Sequence, residues 1–433
     1  YLSDAIQKMK DILDNIEKYY NISNDIIKNN NKNYNTLNNI NEFIKYKDKI
    51  INDIKEIMND NDENNKFNKL MDMYNDINNV NYIISEIEIK EEDRNRYFRI
   101  INSYEECVKS EEDWEEKAED LKFKNEKEIK DNCEIKINDK IIPFTYYYQF
   151  TEPGKYKIQY SFKNKLTNAN HLFSDCEYLT NINLSNFNNE YVTDMNSMFI
   201  SCYFLKTLNL SNIKTKNVEN MSCMFFGCSS LTNLDLKNFN TENVTDMSDM
   251  FTLCESLTNL NLTNFNTEKV KNMKGMFNCC KSLISINLTS FNTENVQDMS
   301  SMFKACHSLK NLNLANFNTQ NVINIYSMFD GCFSLANLNI SNFNTEKATD
   351  MSNMFNSCQS LTSLNLSNFN TENVIGMCCM FNGCKSLMNL NISNFNTEKV
   401  NNMNAMFNGC NSLINIDITK FTTKNAGTIS MLN

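Results

Sequence analysis

The chain has 433 residues and a net charge of −11, with only 8 Gly and 2 Pro. Its lysines are spread without a basic stripe, which argues against nucleic acid as a partner, because phosphate binding needs clustered Lys and Arg. No run of 18 apolar residues is present, so no membrane-spanning helix is expected, and the length implies two or three domains.

Residues 1–80 read as helix. Leu2, Ile6, Met9, Leu13, Ile16 and Tyr20 are spaced by three and four, and a second run passes through Tyr34, Leu37, Ile40, Ile44, Ile51, Ile54 and Met58. The polar breaks at Asn29-Asn30-Asn31 and at 59–65 act as connectors, giving either a helical hairpin or an oligomerising coiled coil. The opening YLSDAIQKMKDILDNI is already amphipathic and lacks the layout of a signal peptide. With no initiator Met, the expectation is a fragment or processed product.

Residues 81–165 change character. IISEIEIK (83–90) and RIINSY (99–104) are expected strands, followed by an acidic, helix-prone stretch at 111–120 around Trp114. CEIKIND, IIPFTYYYQF and GKYKIQYSF then read as three further strands, with Pro153-Gly154 marking the last turn. In the final strand Tyr156, Ile158, Tyr160 and Phe162 alternate. This region is expected to be a β-rich cap on the end of the segment that follows.

Residues 166–433 repeat one 26-residue unit about ten times, closed each time by a Cys, from Cys176 and Cys202 to Cys384 and Cys410. Such a period is the signature of stacked units that bury their apolar sides only against their neighbours. The unit from Leu231 begins L-x-x-L-x-L, with Leu234 and Leu236 at strand spacing. Phe239 and Val244 are expected to plug the core from the next turn. Met247, Met250, Phe251 and Cys254 then fall at i, i+3, i+4 and i+7, which predicts a short helix. The residue before the first Met is Asp194, Asn220, Asp246, Asn272, Asp298, Asn324, Asp350 or Asn402, which predicts an N-cap. The expected fold class is therefore an α/β solenoid of strand–turn–short-helix units, preceded by the β-rich cap and the helical or coiled-coil region.

The pattern L-x-x-L-x-L-S-N-F-N-T-E-x-V-x-x-M-x-x-M-F-x-x-C resembles the BspA-like branch of leucine-rich repeats over roughly residues 165–433. The resemblance implies a leucine-rich-repeat-like solenoid used in protein binding or adhesion. The usual Asn or Cys after the strand is replaced by Phe187, Phe239, Phe265 and equivalents, so the curvature of a standard horseshoe does not transfer. The β segment is similar to the lead-in of protist members of that family. The helical segment faintly resembles a coiled coil that follows a B-box zinc finger, although no zinc-finger residues are present.

Of the 16 cysteines, ten hold the inward repeat position, where Cys serves as a small hydrophobe. Single recurring thiols do not make a disulfide framework, and with only His171 and His307 no zinc set is expected. Buried free thiols mildly favour a reducing compartment. The Glu that recurs as Glu190, Glu242, Glu268, Glu294, Glu346, Glu372 and Glu398 could ladder calcium between units, but a solvated turn is the favoured reading. No catalytic motif is found, so neither enzyme activity, cofactor nor metal is expected.

The residues expected to face outward from the strands are Asn, Ser and Thr. The candidate binding face is Asn233, Asp235, Asn259, Asn261, Asn287, Asn311, Asn313, Asn337, Asn339, Asn365, Asn389 and Asn391. These side chains either bond to one another or form a polar surface for a repetitive ligand such as a glycan or matrix. Larger side chains at Tyr203, Phe204, Phe226, Tyr326 and Phe333 are second candidates for specificity. The sequence thus favours a non-catalytic protein-interaction scaffold whose N-terminal helices, residues 1–60, oligomerise it or serve as an adaptor module, with a cell-surface adhesin as the alternative and a structural spacer as a third class. Cytoplasmic placement is favoured slightly over the cell surface.

Overall fold

The computed structural model describes Gln7 and residues 81–109, 124–414, 416–419 and 421–422. The helices expected over 1–80 and the acidic stretch at 111–120 lie outside the described residues. The chain clusters into two compact units, Tyr1–Asn81 and Tyr82–Asn433. Apart from Gln7 and Asn81 the described residues belong to the second, which is mostly strand and turn with few helices and no closed barrel.

The second unit begins with β1 (Tyr82–Ile89), β2 (Tyr97–Arg99), α1 (Tyr104–Val108), α2 (Glu126–Asn132), β3 (Cys133–Ile137), β4 (Lys140–Ile142), β5 (Tyr147–Gln149) and β6 (Gly154–Phe162). The strands follow alternating burial, with Ile83, Ile87 and Ile89 of β1 and Ile158, Tyr160 and Phe162 of β6 turned into the core. Two expected strands are corrected. The one placed at 99–104 stops at Arg99, because the Ser103 hydroxyl accepts the Glu106 N–H and starts α1. This is a Ser-x-x-Glu start signal within the segment itself. The one placed at 141–150 breaks into β4 and β5 around Pro143, which has no N–H for a ladder.

Strands β7 (Leu179–Asn183) and β8 (Thr207–Asn209) belong to the first two repeats. One six-stranded sheet, in the order β4-β3-β6-β1-β7-β8, joins them to the lead-in: β1 runs antiparallel to both β6 and β7, and β7 runs parallel to β8. Further along, β9 (Asn311–Asn313) pairs in parallel with β10 (Asn337–Asn339), and β11 (Ser363–Leu364) with β12 (Asn389–Leu390). The expected parallel strand is therefore present in patches.

The helix expected at Met-x-x-Met-Phe-x-x-Cys is absent from every described repeat, and an unbroken ladder of turns stands in its place. In the unit at Met247, the N–H groups of Met250, Thr252 and Cys254 close turns onto the carbonyls of Met247, Asp249 and Phe251. The N–H groups between them, of Met247, Asp249, Phe251 and Leu253, donate instead to Asn272, Lys274, Met276 and Asn278 of the next unit at 2.7–3.1 Å. Asp249 and Leu253 adopt φ of 53° and 60°, and the same two positions are left-handed in every repeat from His171 to Gly409. Parallel bridges run through Asn168, Asp194, Asn220 and on to Asn402 without a gap. Turns win over a helix because a helix would keep all these N–H groups within its own unit, leaving the stack without its main-chain links. The apolar spacing is satisfied either way.

The interior repeats as regularly as the backbone. The Phe of Met-Phe stacks on its neighbours from Phe173 to Phe407, with centroids 5.5–6.0 Å apart and ring planes within 17°. Phe239 and Val244 are buried, as the turn reading expected. Each repeat Cys from Cys202 to Cys410 donates its S–H to the carbonyl of the Phe 29 residues back, for example Cys280 Sγ to Phe251 O at 3.2 Å. The buried Thr241 donates to the Asn266 carbonyl and accepts its N–H, both at 2.8 Å, and equivalent threonines repeat this in other units. Asn102 and Asn125, both buried, close the first unit: Asn102 donates its main-chain N–H to Leu172 O and Nδ2 to Ser174 O, and Asn125 Nδ2 donates to Asn170 O.

Leu312 is 3% exposed within this core. Leu312→Asp is expected to cost several kcal/mol by burying an unpaired charge. Urea titration checks this, and an unchanged midpoint would contradict the register described.

Candidate functional site

The twelve residues proposed as a binding face are distributed along the stack, and nine of them already carry structural work. Each member of the column Asp235, Asn261, Asn287, Asn313, Asn339, Asn365 and Asn391 accepts the N–H two residues ahead on Oδ1, at 3.1–3.2 Å. This Asx-turn shapes the corner after the strand. Asn337 Nδ2 donates to Asn311 Oδ1 one unit away at 2.6 Å. Asn233, Asn259 and Asn389 are exposed. Asn311, Asn313, Asn337 and Asn339 come together, lining a shallow groove of about 400 Å³ over β9 and β10 with Ile286, Leu312 and Leu338.

The Asx column read as N-caps does the same work at a different corner. Asp194, Asp246, Asp298 and Asp350 each accept the N–H two residues on at 2.7–2.8 Å, and Asn220, Asn272, Asn324 and Asn402 do likewise at 3.0–3.2 Å. The chemistry of the N-cap reading holds, but the object is a turn. Aspartate and asparagine alternate strictly from 194 to 350, a signal present in the sequence that the spacing argument did not use. With units about 4.8 Å apart, adjacent carboxylates would repel by roughly 3 kcal/mol at an effective dielectric of 20. The intervening amide removes that repulsion, and Asn272 Nδ2 and Asn324 Nδ2 each reach back 3.4 Å to the preceding carboxylate.

Among the described residues no three His, Cys, Asp or Glu side chains gather as a metal set. Glu242, Glu268 and Glu294 are exposed at a third Asx corner, where their N–H groups bond to Asn240, Asn266 and Asn292 Oδ1 at 3.0 Å. Burial pushes the inward thiols up: Cys332 rises to about 12, and Cys176, Cys228, Cys280, Cys306 and Cys358 stand well above the usual range. Burial lowers His307, whose ring stacks on Phe333 at 4.5 Å. His171 takes a left-handed φ of 54° with its ring 5.7 Å from Tyr104.

A different surface gathers the side chains that interfaces favour. The three arginines of the chain, Arg94, Arg96 and Arg99, all fall within β2 and the turn before it. Arg96 lies over Phe98 and Tyr178 at 5.7 and 5.9 Å, and Tyr178 meets Phe204 at 5.3 Å. Phe204 and its neighbour Tyr203 are 49% and 40% exposed, which makes them available for contact. Strand β2 pairs antiparallel with β5, and the other face of this ribbon carries the exposed Tyr97 and Tyr147, with Arg99 4.4 Å over the Tyr147 ring and hydrogen-bonded to its hydroxyl. Of the larger side chains proposed from sequence, Tyr203, Phe204, Tyr326 and Phe333 are exposed and Phe226 is half-buried. The arginine contribution went unread, because it comes from a segment 80 residues or more away from Tyr178 and Phe204 in sequence. Among the described residues no helix is long and apolar enough to cross a membrane.

A family model described as "Mycoplasma protein of unknown function, DUF285" matches residues 167–285, 230–337, 254–363 and 333–432. Together these matches span more than half of the chain. No curated protein and no solved structure matches it.

Asn272→Asp places three carboxylates in successive units and is expected to cost about 1–3 kcal/mol at pH 7 after solvent screening. Repulsion raises the folded-state pKa values, so the lost stability returns as pH falls below the unfolded carboxylate value of about 4. Thermal melts at pH 7 and pH 4 check this, and a deficit independent of pH contradicts the alternation argument. The wild-type thiols, raised in the folded state, stabilise it fully below their unfolded pKa of about 8.5 and progressively less above it. Urea midpoints should therefore fall steeply between pH 8 and pH 10, and Cys280→Ser, Cys306→Ser and Cys332→Ser combined should flatten that slope.

Proposed function

Since the chain belongs to the DUF285 family, whose repeat it carries in four overlapping matches, we propose that it is a non-catalytic interaction scaffold, a leucine-rich-repeat-like solenoid that presents a partner-binding surface at its N-terminal end. The observation that carries this reading is the joining of Arg96, Tyr178, Tyr203 and Phe204 where the turn before β2 meets the first two repeats. Tyr and Arg are enriched among the residues that dominate the energetics of protein interfaces, and all three arginines of the chain lie in β2 or the turn before it. The Asn columns support the same reading by what they are engaged in: amides occupied with corners and cross-unit bonds hold the scaffold in register. Burial keeps the inward repeat thiols, such as Cys280 and Cys306, protonated, as suits core packing.

The BspA-like reading adds an alternative, a cell-surface adhesin. The amide-rimmed groove over β9 and β10 favours it, since Asn311, Asn313, Asn337 and Asn339 present polar groups above an aliphatic floor, a combination suited to a polar, repetitive ligand. An oligomerising helical module at residues 1–60 completes the scaffold proposal.

The two readings separate in one experiment. Partners are captured by proximity labelling in intact and in permeabilised cells, using wild-type protein, Arg96→Ala/Phe204→Ala and Asn311→Ser/Asn337→Ser. The scaffold reading expects the first double variant to lose the principal partner at least tenfold with its melting temperature little changed, while the second retains it. Loss confined to the Asn variant, with labelling on intact cells, would replace the scaffold reading with the adhesin.

A further inference from the structure

We propose that Cys378 and Cys379 form a modification site, a vicinal dithiol that a small-molecule disulfide oxidises to an intramolecular disulfide, loosening the stack at that unit. Their Sγ atoms lie 3.5 Å apart and both residues are partly exposed. The chain's other adjacent pair, Cys279 and Cys280, supplies an internal contrast. There Cys280 is buried with its S–H turned inward to the Phe251 carbonyl at 3.2 Å, while Cys279 sits partly exposed. The difference is positional. Cys378 and Cys379 fill the two central places of the turn closed by Met380 N–H on Met377 O, whereas Cys280 occupies the inward place of the repeat.

The chemistry balances as thiol–disulfide exchange. One cysteine thiolate attacks the small disulfide R–S–S–R, forming a Cys–S–S–R bond and releasing R–S⁻. The neighbouring thiolate then attacks the cysteine sulfur of that mixed disulfide, forming the Cys378–Cys379 bond and releasing the second R–S⁻. Two protons leave the protein and two electrons pass to the small disulfide. Burial and the adjoining Cys378 push Cys379 up to about 11, so exchange is slow at neutral pH and accelerates as the solution becomes alkaline.

Closing the ring acts on the ladder because of which peptide lies between the sulfurs. The carbonyl of Cys378 accepts the Asn353 N–H at 2.8 Å, and the N–H of Cys379 donates to the Asn404 carbonyl at 2.9 Å. One peptide unit thus links the repeats on both sides. Consecutive Cα atoms are about 3.8 Å apart, whereas disulfides ordinarily join Cα atoms about 4.4–6.8 Å apart. Ring closure must therefore twist this peptide away from both partners, and the resulting strain makes the bond readily reducible.

The test treats the full folded chain with oxidised glutathione at pH 8.5, quenches with acid and maps the peptides by mass. The expected result is a Cys378–Cys379 peptide lighter by two hydrogens and free of glutathione, restored by dithiothreitol. Cys378→Ser should instead retain glutathione on Cys379. That variant carries the residue other repeats hold at the same place, as in Ser222, Ser248, Ser300 and Ser352, so its fold is secure. Hydrogen exchange on the oxidised wild type should show lost protection at the Asn353 and Cys379 amides, and the treated variant should keep it. Stable glutathione adducts on the wild-type pair, or a pair that reacts only in urea, would overturn the site. A disulfide formed without loss of protection would overturn its effect on the stack.

Discussion

Everything in the repeat region depends on an alternation in the direction of main-chain N–H groups. Along Met-x-x-Met-Phe-x-x-Cys, one N–H closes a turn within its unit and the next crosses to the neighbouring unit. This single rule brings equivalent residues into contact 26 positions apart, and the side-chain ladders follow from it. Phe stacks on Phe, Thr bonds the next unit's backbone at a buried corner, and the Cys S–H reaches a carbonyl that the turns leave with capacity to accept. The left-handed positions are what the rule costs. They are met mostly by Gly, Ser, Asn, Asp and Ala, and otherwise by His171, Cys223, Leu253, Cys279 and Cys379.

A stack of identical units also magnifies any unfavourable pair, since each residue meets its own kind on either side. The Asp/Asn alternation answers this where charge is concerned, by placing a neutral donor between carboxylates. It also explains the abundance of asparagine without recourse to ligand binding. Asn accepts at a corner with Oδ1 and has Nδ2 left to donate across units, a double duty that Asp cannot perform and Gly cannot begin. The polar column on the strands, which invites a functional reading, is in large part the device that makes one of the three Asx corners of each unit.

The two ends of such a stack differ from its middle. At the start, the lead-in region supplies a strand, β1, that pairs with the first repeat, and two buried asparagines that occupy the carbonyls a preceding unit would have used. The same junction brings arginine beside exposed aromatic side chains. In a molecule whose repeats resemble one another so closely, this junction is a feature that occurs once among the described residues.

The sequence by itself determined the 26-residue period, the inward residues at Leu234, Leu236, Phe239, Val244, Met247, Met250, Phe251 and Cys254, and most strands of the lead-in, because burial of apolar side chains is written residue by residue. Tertiary structure alone decided that the methionine segment is a ladder of turns, since i, i+3, i+4, i+7 spacing records which side chains go inward and not where each N–H finds its acceptor. That acceptor lies on another unit. The Arg96–Tyr178–Phe204 junction and the meeting of Cys378 with Cys379, beside a Cys279–Cys280 pair of the same sequence that turns apart, were likewise decided by contacts between segments and by position within a turn, which the order of residues along the chain does not carry.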